Sequence, residues 1–290
     1  MKNKITSKIP LIILIISICL IISIRGIPLF TVIISSFIPN MTSKQDVALF
    51  NNYYNVLNDE IFWTSLSNSF LILLHIPFLI LLSFSVSLII HDGMKYSNLY
   101  KTIIVFPQIV STVTIASIFG CIFGYYGPIN SAIQLLELPP LYWLGEKTSA
   151  IFVIILCLIY SSFGWQTLIF SSALSTVDPN IQALVKLDGV KFWRRFQIYI
   201  HQIKDTIFYS LILNIIYGFT GNFSVIFTLT HGGPGYSTTT IDYLIYLRAF
   251  KYGSDMTAAY TISTLLLVLV LFLVTILYFV VKKRDINEKA

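Results

Sequence analysis

Polar residues recur at helical spacing within two of the apolar runs of this chain. In the fifth run, at spacings of 3, 4, 3 and 4, they are Asn214, Tyr217, Gly221, Ser224 and Thr228. In the sixth run they are Thr257, Tyr260, Thr261 and Thr264. Residues three and four apart share one face of a helix, so each series predicts a polar stripe. Such hydroxyl, amide and phenol groups can bond a hydroxyl-rich solute, and an aromatic ring can stack on it.

The same residue types are also suited to a structural role, because small and hydroxylated side chains commonly pack helices together in membranes. Both interpretations stay open for the two stripes. Gly221 favours packing, whereas Asn214 and Tyr217 favour a solute path. The candidate path residues are Asn214, Tyr217, Ser224, Thr228, Tyr260 and Thr264.

Motifs of the common self-contained enzymes are absent from the sequence. The HGGPG stretch at 231–235 lacks the lysine and the strand-to-helix context of a phosphate-binding loop. There is no H-E-x-x-H, C-x-x-C or G-x-S-x-G pattern, and no apolar run holds a pair of carboxylates. The cysteines, which lie in apolar runs without metal-ligand spacing, are Cys19, Cys121 and Cys157. We therefore expect no catalytic residue, no metal site and no enzyme, and an ion-driven carrier with an acidic relay is unsupported.

The composition indicates a membrane protein. The chain has 290 residues, of which 56% are hydrophobic and only 11% are charged, whereas soluble domains have about 25% charged residues. Because backbone groups in lipid must bond internally, each long apolar run should be a helix. Six spans are predicted, at about 10–37, 65–90, 102–124, 151–173, 207–229 and 257–281. The expected fold class is an all-α integral membrane protein, with residues 1–290 forming one domain.

The distribution of Lys and Arg predicts the orientation of these spans. With the N-terminus inside, the inner segments hold 14 of the 19 basic residues and the outer segments hold four. Both termini are therefore expected in the cytoplasm. The net charge of +6 is scattered through short polar segments rather than gathered in a basic domain, which argues against nucleic-acid binding.

Arg25 is the remaining basic residue, and it lies inside the first predicted span. It follows Lys8 by 17 residues, a distance of about 25 Å along a helix. That places its guanidinium close enough to the outer surface to snorkel there, and we favour this or a structural pairing over solute contact. The adjacent Gly26 and Pro28 predict a kink.

The longest inner segment, residues 174–206, has the pattern of two helices joined by a bend. Asp178 can cap the first helix, Pro179 suits its first position and Gly189 can end it. A second helical pattern follows, with Phe192, Trp193 and Phe196 available for burial. One interpretation is an amphipathic loop anchored at the lipid headgroups. The other is a docking element for a partner protein, which would explain the Asp-Gly bend.

Several stretches resemble permease subunits of binding-protein-dependent ABC importers. ALSTVDPNIQALVKLDGVKFWRRF (173–196) resembles their cytoplasmic signature loop, in which Asp188, Gly189 and Phe196 match in register. NNYYNVLNDEIFWTSLSNSF (51–70) is similar to the segment before the second span of carbohydrate-type permeases, and YKTIIVFP with YGPIN resembles the third span and its exit. FTLTHGGPGYSTTTIDYLIYLRAF (227–250) resembles the T-x-GGP-x-x-ST segment of the sugar and glycerol-phosphate subfamily.

The resemblance implies a maltose-type permease subunit with a type I ABC importer fold in a bacterial cytoplasmic membrane. Its implied partners are a second permease subunit in a heterodimer, two cytoplasmic ATPases that carry ATP and Mg²⁺, and an extracytoplasmic solute-binding protein. This chain itself would hold no cofactor. The implied ATPase-coupling residues are Asp188, Gly189, Trp193, Arg194, Arg195 and Phe196. The loop implied to face the binding protein contains Gly232, Gly233 and Pro234.

The chain departs from the family pattern within the signature loop. Residues 183–185 are Ala-Leu-Val where the family has E-A-A, Val190 replaces an alanine, and residues 201–202 are His-Gln in place of Leu-Pro. The missing glutamate removes a carboxylate expected to help dock the ATPase. The expected solute is a sugar or oligosaccharide, and the alternatives are a glycerol phosphodiester or another polar solute. A channel or a non-transporting scaffold is the alternative from a different class.

Overall fold

The computed structural model describes residues 9–38, 50–93, 96–187, 189–251 and 255–289, and these residues form helices and connecting turns without any strand. The α-helices are α1 Ile9–Ile21, α2 Ile27–Ser36, α3 Asn51–Leu57, α4 Glu60–Ile72, α5 His75–His91, α6 Ser97–Ile109, α7 Thr112–Ile122, α8 Pro128–Gln134, α9 Lys147–Ser175, α10 Pro179–Leu187, α11 Phe192–Gln202, α12 Lys204–Thr220, α13 Phe223–Leu229, α14 Ile241–Tyr246 and α15 Met256–Lys289. The predicted all-α fold class is confirmed.

The chain divides into two compact units. The first contains residues 1–60 and 244–269, and the second contains residues 61–243 and 270–290. In the first unit, Asn52 of α3 donates hydrogen bonds to the carbonyls of Ser36 and Ile38, each at 2.9 Å. An ion pair between Asp59 and Arg248 adds a contact between the two chain segments of this unit.

A π-helical turn, Ile22–Gly26, interrupts the first apolar helix at the predicted kink. Pro28 follows at the start of α2, and its missing N–H removes one rung of the regular hydrogen-bond ladder. Arg25 lies in this turn and is exposed.

Within the described part of the chain, four helices are long and apolar enough to cross a membrane: Ile13–Ser36, Glu60–His91, Lys147–Ser175 and Met256–Val281. Two further spans would each consist of a bent pair. The third run bends by 92° between α6 and α7, and the fifth bends by 46° between α12 and α13. Both runs are helical, as predicted, but each consists of two helices joined by a bend.

The sequence explains the break in the third run. Pro107 lies inside the last turn of α6, where it removes a backbone donor and crowds the preceding turn. Val110 is extended, and the Ser111 side chain accepts a 3.2 Å hydrogen bond from the N–H of Thr114 at the start of α7. A proline that ends one helix and a serine that caps the next produce the sharp bend.

The second unit is organised around α9, which packs against α5, α6, α7 and α12. Gly164 of α9 permits the closest approach. A Cβ at this position would overlap the carbonyl oxygen of Ile104 and lie 3.0 Å from the Cα of Val105. Helices α6 and α9 thus cross in direct backbone contact.

Asn130 organises the connection between α7 and α9. Its side chain is buried, with an exposed fraction of 1%. The Nδ2 atom donates to the carbonyls of Tyr125 and Leu141 at 3.0 and 2.9 Å. The Oδ1 atom accepts from the Leu141 N–H and the Trp143 ring N–H at 3.0 and 3.1 Å. The Asn130 amide therefore bonds residues on both sides of it, as far as 13 positions away.

Replacing Asn130 with aspartate should destabilise the second unit by about 1–3 kcal/mol, the usual cost of an unsatisfied buried polar group. The new oxygen would face carbonyl oxygens in place of the donor that they need. Thermal unfolding of the purified protein measures the effect. Asn58→Asp is the matched control, because the Asn58 amide is exposed and bonds a single carbonyl, that of Tyr54. Equal melting temperatures for the two variants would contradict the organising role of Asn130.

Candidate functional site

A cavity of about 540 Å³ opens in the second unit where α6, α7, α9 and α12 meet. The bend between α6 and α7 contributes Gln108 and Thr112 to its wall. Helix α9 contributes Leu158, Ser161, Ser162, Trp165, Gln166 and Ile169. Helix α12 and the residue that follows it contribute Ser210, Leu213, Asn214, Ile216, Tyr217, Thr220 and Gly221. The proline-induced break in the third run therefore helps to form the site.

An amide and hydroxyl network forms one part of the wall. Gln166 donates from Nε2 to the Ser210 hydroxyl at 2.5 Å, and its Oε1 accepts from Asn214 Nδ2 at 2.9 Å. Asn214 Nδ2 also donates to the Ser210 carbonyl at 2.8 Å. Gln166 and Ser210 are buried, with exposed fractions of 2% and 1%. This network joins α9 to α12 and fixes the Asn214 amide at the cavity surface.

Two aromatic side chains remain exposed in the same wall. Trp165 and Tyr217 are 57% and 58% exposed, so neither ring is buried by packing within this chain. Gly221 leaves room for the Tyr217 ring, since a Cβ at Gly221 would lie 2.7 Å from it. Exposed rings beside amide groups suit a ligand with both apolar ring faces and hydroxyl groups.

The cavity wall holds no formal charge. Its lining includes no Asp, Glu, Lys, Arg or His among the described residues. A charged ligand would therefore have no counter-charge here, and an anion would lack the Arg or Lys partners that normally bind it. The wall is suited to a neutral polar ligand.

The structure brings only some of the predicted path residues to this cavity. Asn214 and Tyr217 line it together with Gly221. Ser224 and Thr228 belong to α13, beyond the 46° bend, and do not line it. The predicted continuous stripe over 214–228 was wrong because the helix changes direction after Thr220. Tyr260 and Thr264 lie in the first unit, where the Thr264 hydroxyl donates back to the Tyr260 carbonyl at 2.9 Å.

Three cavity residues were not predicted from the sequence: Gln108, Trp165 and Gln166. A signal for two of them was present, since SSFGWQ (161–166) is a polar interruption in the middle of the fourth apolar run. A glutamine inside a predicted span is costly unless it is hydrogen-bonded or faces a cavity, and Gln166 does both.

Residues 230–243, here called the glycine–threonine segment, form a compact hydrogen-bonded element in the second unit. Gly232 has φ +79° and is packed against Thr239 and Tyr243, which leaves no space for a side chain. Thr239 donates to the Gly232 carbonyl at 3.1 Å, and Thr238 donates to that of Gly233 at 2.8 Å. Pro234 is exposed at the tip. Of the predicted loop residues, Gly232 is therefore internal and Pro234 is available to a partner.

Helix α4 anchors this segment from one side. Asn68 donates to the carbonyls of Tyr236 and Thr239, both at 3.0 Å, and the Ser69 hydroxyl accepts from the Ile241 N–H at 2.9 Å.

Asp242 anchors the same segment to the break between α12 and α13. Its Oδ2 accepts a 2.7 Å hydrogen bond from the Phe223 N–H, the first residue of α13. Its Oδ1 accepts from the Thr240 hydroxyl at 2.5 Å and from the Tyr243 N–H at 3.0 Å. Burial raises the pKa of the Asp242 carboxyl, and these hydrogen bonds oppose that shift.

The charged helix pair, α10 and α11, packs onto the ends of α5 and α9 in one apolar cluster. Its buried members are Phe84, Leu88, Phe170, Leu174, Val177, Val185, Tyr199 and Ile203. Phe196 of α11 packs edge-on against Phe84, with ring centroids 4.8 Å apart. One face of the helix pair is therefore packed against the rest of this chain, and only its other faces are left for a membrane or a partner.

Gly189 occupies the bend of this pair with φ +56° and is exposed, with no atom within 4 Å of a Cβ built there. Its predicted neighbour in the bend, Asp188, lies outside the described residues. Trp193 is 69% exposed, and Arg194 is also exposed, bonding Gln197 at 3.3 Å. Arg195 instead forms an ion pair with Asp92 at 2.6 Å. Gly189, Trp193 and Arg194 thus remain accessible to a partner.

Residues 80–285 match the family described as binding-protein-dependent transport system inner membrane component. The chain is 31% identical over 244 residues to the trehalose/maltose transport system permease protein MalF of Thermococcus litoralis, covering 81% of this chain and 79% of that protein. It is 30% identical over 243 residues to the sn-glycerol-3-phosphate transport system permease protein UgpA of Pectobacterium atrosepticum, covering 82% and 79%. It is 26% identical over 240 residues to the lactose transport system permease protein LacF of Rhizobium radiobacter, covering 80% of both.

A solved structure shares the fold over nearly the whole chain. It is a crystal structure of a bacterial ABC transporter involved in the import of the acidic polysaccharide alginate. The TM-score is 0.84 at 19% identity, over 97% of this chain and 98% of that chain. The family match alone spans more than half of the sequence. The chain accordingly belongs to the binding-protein-dependent transport system inner membrane components, the membrane-spanning permease subunits of ABC importers.

Proposed function

We propose that this permease subunit carries a neutral sugar or oligosaccharide through the cavity formed by α6, α7, α9 and α12. The observation that carries the proposal is the lining itself, in which Trp165 and Tyr217 lie beside the Gln166 and Asn214 amides and no described residue bears a formal charge. Sugar rings offer apolar faces to aromatic side chains and hydroxyl groups to amides. The volume, about 540 Å³, is within the range of ordinary small-molecule sites, about 300–1,000 Å³.

The names of two relatives support a carbohydrate, since one transports lactose and another trehalose or maltose. A third relative transports sn-glycerol-3-phosphate, which makes a phosphate-bearing solute the second candidate. The cavity disfavours a phosphate-bearing solute, because the residues described in its lining include no Arg or Lys. The N-terminus of α7 lies beside the cavity, but the Ser111 side chain already bonds the Thr114 N–H there.

The proposed assembly contains this chain and a second permease subunit, with two ATPases that bind ATP and Mg²⁺ and one solute-binding protein. The charged helix pair would meet an ATPase through the bend at Gly189 and the exposed Trp193 and Arg194. The tip of the glycine–threonine segment at Pro234 would face the solute-binding protein. The positive-inside distribution of Lys and Arg supports these assignments of side.

The solute class is tested with the complete complex in proteoliposomes. We expect neutral disaccharides or short oligosaccharides, presented with the solute-binding protein, to stimulate ATP hydrolysis and to accumulate inside. Stimulation by sn-glycerol-3-phosphate, with no response to any neutral sugar, would overturn the proposal.

Removing either exposed ring of the cavity should slow uptake. Trp165→Ala and Tyr217→Ala are each expected to lower solute uptake by about tenfold, the equivalent of about 1.4 kcal/mol. Because both rings are more than half exposed, their truncation should cost the fold little, and Trp165→Phe should retain most activity. Trp63→Ala is the matched control, since Trp63 is 52% exposed and lies outside the cavity. Full uptake by both cavity variants would refute the assigned path.

A further inference from the structure

We infer that Asp242 is a positioning residue that links the glycine–threonine segment to the wall of the transport cavity. The inference rests on the proposed function, since it assigns a route by which docking of the solute-binding protein reaches the cavity. It concerns the Asp242 carboxylate and its partners at the break in the fifth span.

The glycine–threonine segment is held together by its own hydrogen bonds and should therefore move as one piece. Its hydrogen bonds run between residues five to eight apart, namely Thr238 to Gly233, Thr239 to Gly232 and Thr238 to Thr230. Thr238, Thr239 and Thr240 are fully buried. A displacement at the exposed tip is therefore expected to shift the whole segment, because buried and bonded backbone does not deform locally without losing these bonds.

Hydrogen bonds also attach this segment to two other helices, α4 and α13. Asn68 and Ser69 tie it to α4. Asp242 ties it to α13 through the Phe223 N–H at 2.7 Å. That bond joins positions 19 residues apart.

The donor of this bond, the Phe223 N–H, lies next to the cavity. Phe223 follows the cavity residue Gly221 by two positions, and Asn222 between them is buried, with its Nδ2 bonded to the Gly218 carbonyl at 2.5 Å. Gly221 in turn accommodates the Tyr217 ring. A shift of the segment is thus passed by Asp242 to the break, and from the break to the wall that holds Tyr217.

Asp242→Asn tests this link with minimal change in shape. The aspartate uses one oxygen for Phe223 and the other for Thr240 and Tyr243. Asparagine has one oxygen, so when that oxygen serves Thr240 and Tyr243, its amide N–H₂ faces the Phe223 N–H. The substitution therefore weakens the link to α13, because the Phe223 N–H and the Tyr243 N–H now compete for one oxygen, whereas the Thr240 hydroxyl can bond the amide in either orientation.

The experiment compares variants of the complete complex in proteoliposomes at increasing concentrations of solute-loaded binding protein. For Asp242→Asn we expect maximal uptake and stimulated ATP hydrolysis to fall by about tenfold, with the half-saturating concentration of binding protein unchanged within about twofold. Basal ATP hydrolysis should also stay unchanged. Asp242→Glu, which keeps both acceptors, should recover part of the rate.

Thr240→Val is the matched comparison, because it removes a hydrogen bond to the same carboxylate but keeps the link to Phe223. We expect its maximal rate to remain within about twofold of the unmodified protein. A loss equal to that of Asp242→Asn would mean that general weakening of the segment is responsible, and would overturn the inference. An unchanged maximal rate in Asp242→Asn would also overturn the inference. A fall in its maximal rate that is explained by a lower melting temperature of the complex would do the same.

These outcomes are distinct from failure of the proposed function. If no neutral sugar stimulates the unmodified complex while a phosphate-bearing solute does, the solute assignment fails. The comparison of Asp242→Asn with Thr240→Val can then be made with that solute, and it still tests the link between the segment and the cavity wall.

Discussion

Gly164→Ala should prevent stable folding of the second unit. The added methyl group would overlap the Ile104 carbonyl oxygen and lie 3.0 Å from the Val105 Cα, and both are backbone atoms that cannot rotate away. Overpacking of a tight core costs about 1–3 kcal/mol even where side chains can adjust, so we expect at least the upper end of that range. Thermal unfolding in detergent and the amount of protein recovered from the membrane measure the effect.

Gly120→Ala provides the control, since it makes the same change within another helix of the same unit. A Cβ at Gly120 would meet only the Leu229 Cδ2, at an ordinary distance of 3.7 Å. Alanine is favoured over glycine inside a helix by up to about 1 kcal/mol, so this variant should be as stable as the original or slightly more so. A similar melting temperature for the two variants would contradict the direct backbone contact between α6 and α9.

Gly189→Val should uncouple transport from ATP hydrolysis. A φ of +56° costs non-glycine residues about 1–2 kcal/mol, and a β-branched residue more. The bend between α10 and α11 would then rearrange. We expect solute uptake to fall more than tenfold while the protein remains in the membrane at normal levels. Uptake and ATP hydrolysis by the reconstituted complex are the measurements.

Gly189→Asn separates backbone conformation from the loss of glycine itself. Asparagine tolerates left-handed backbone better than other non-glycine residues, and a Cβ at this position would meet no atom within 4 Å. This variant should retain at least about half of the uptake. If the valine variant transports normally, the bend does not contribute to coupling. If asparagine abolishes uptake as completely as valine, contact with the partner matters rather than the bend.

Much of the architecture could be predicted from hydropathy and from the residues that begin, bend or end helices. The family assignment confirms a multi-pass permease of the inner membrane, a transmembrane subunit rather than an enzyme. The predicted helix–bend–helix over the charged segment also corresponds to α10 and α11. The cytoplasmic location of both termini, the single domain and the roles of the site residues stay predictions.

The two bent spans could not be predicted from apolar length, because hydropathy averages over the residues that cause a break. Pro107 was visible in the sequence, but a proline inside a span can kink, break or merely end a helix. The break after Thr220 depends on Gly221, the Asn222 amide and the carboxylate of Asp242, which is 19 residues away from its partner Phe223. A local pattern does not reveal such a distant acceptor.

The candidate site was predicted only where it lies on one uninterrupted helix. Asn214 and Tyr217 share α12, and their spacing was sufficient to place them together. Trp165 and Gln166 reach the same cavity from α9, and helical spacing within one run does not determine which faces of different helices converge. Pairing of Asn214 with Gln166 across 48 residues is likewise a property of packing.

The absence of formal charge from the cavity wall has an electrical consequence. Moving one elementary charge across a membrane involves about 2.3 kcal/mol for every 100 mV of potential. The proposed neutral sugar would carry no charge through that field, and the described residues of the wall include no Asp, Glu, Lys, Arg or His that would have to move one. Translocation by this subunit should therefore be electroneutral, with a rate that is the same in polarised and depolarised vesicles.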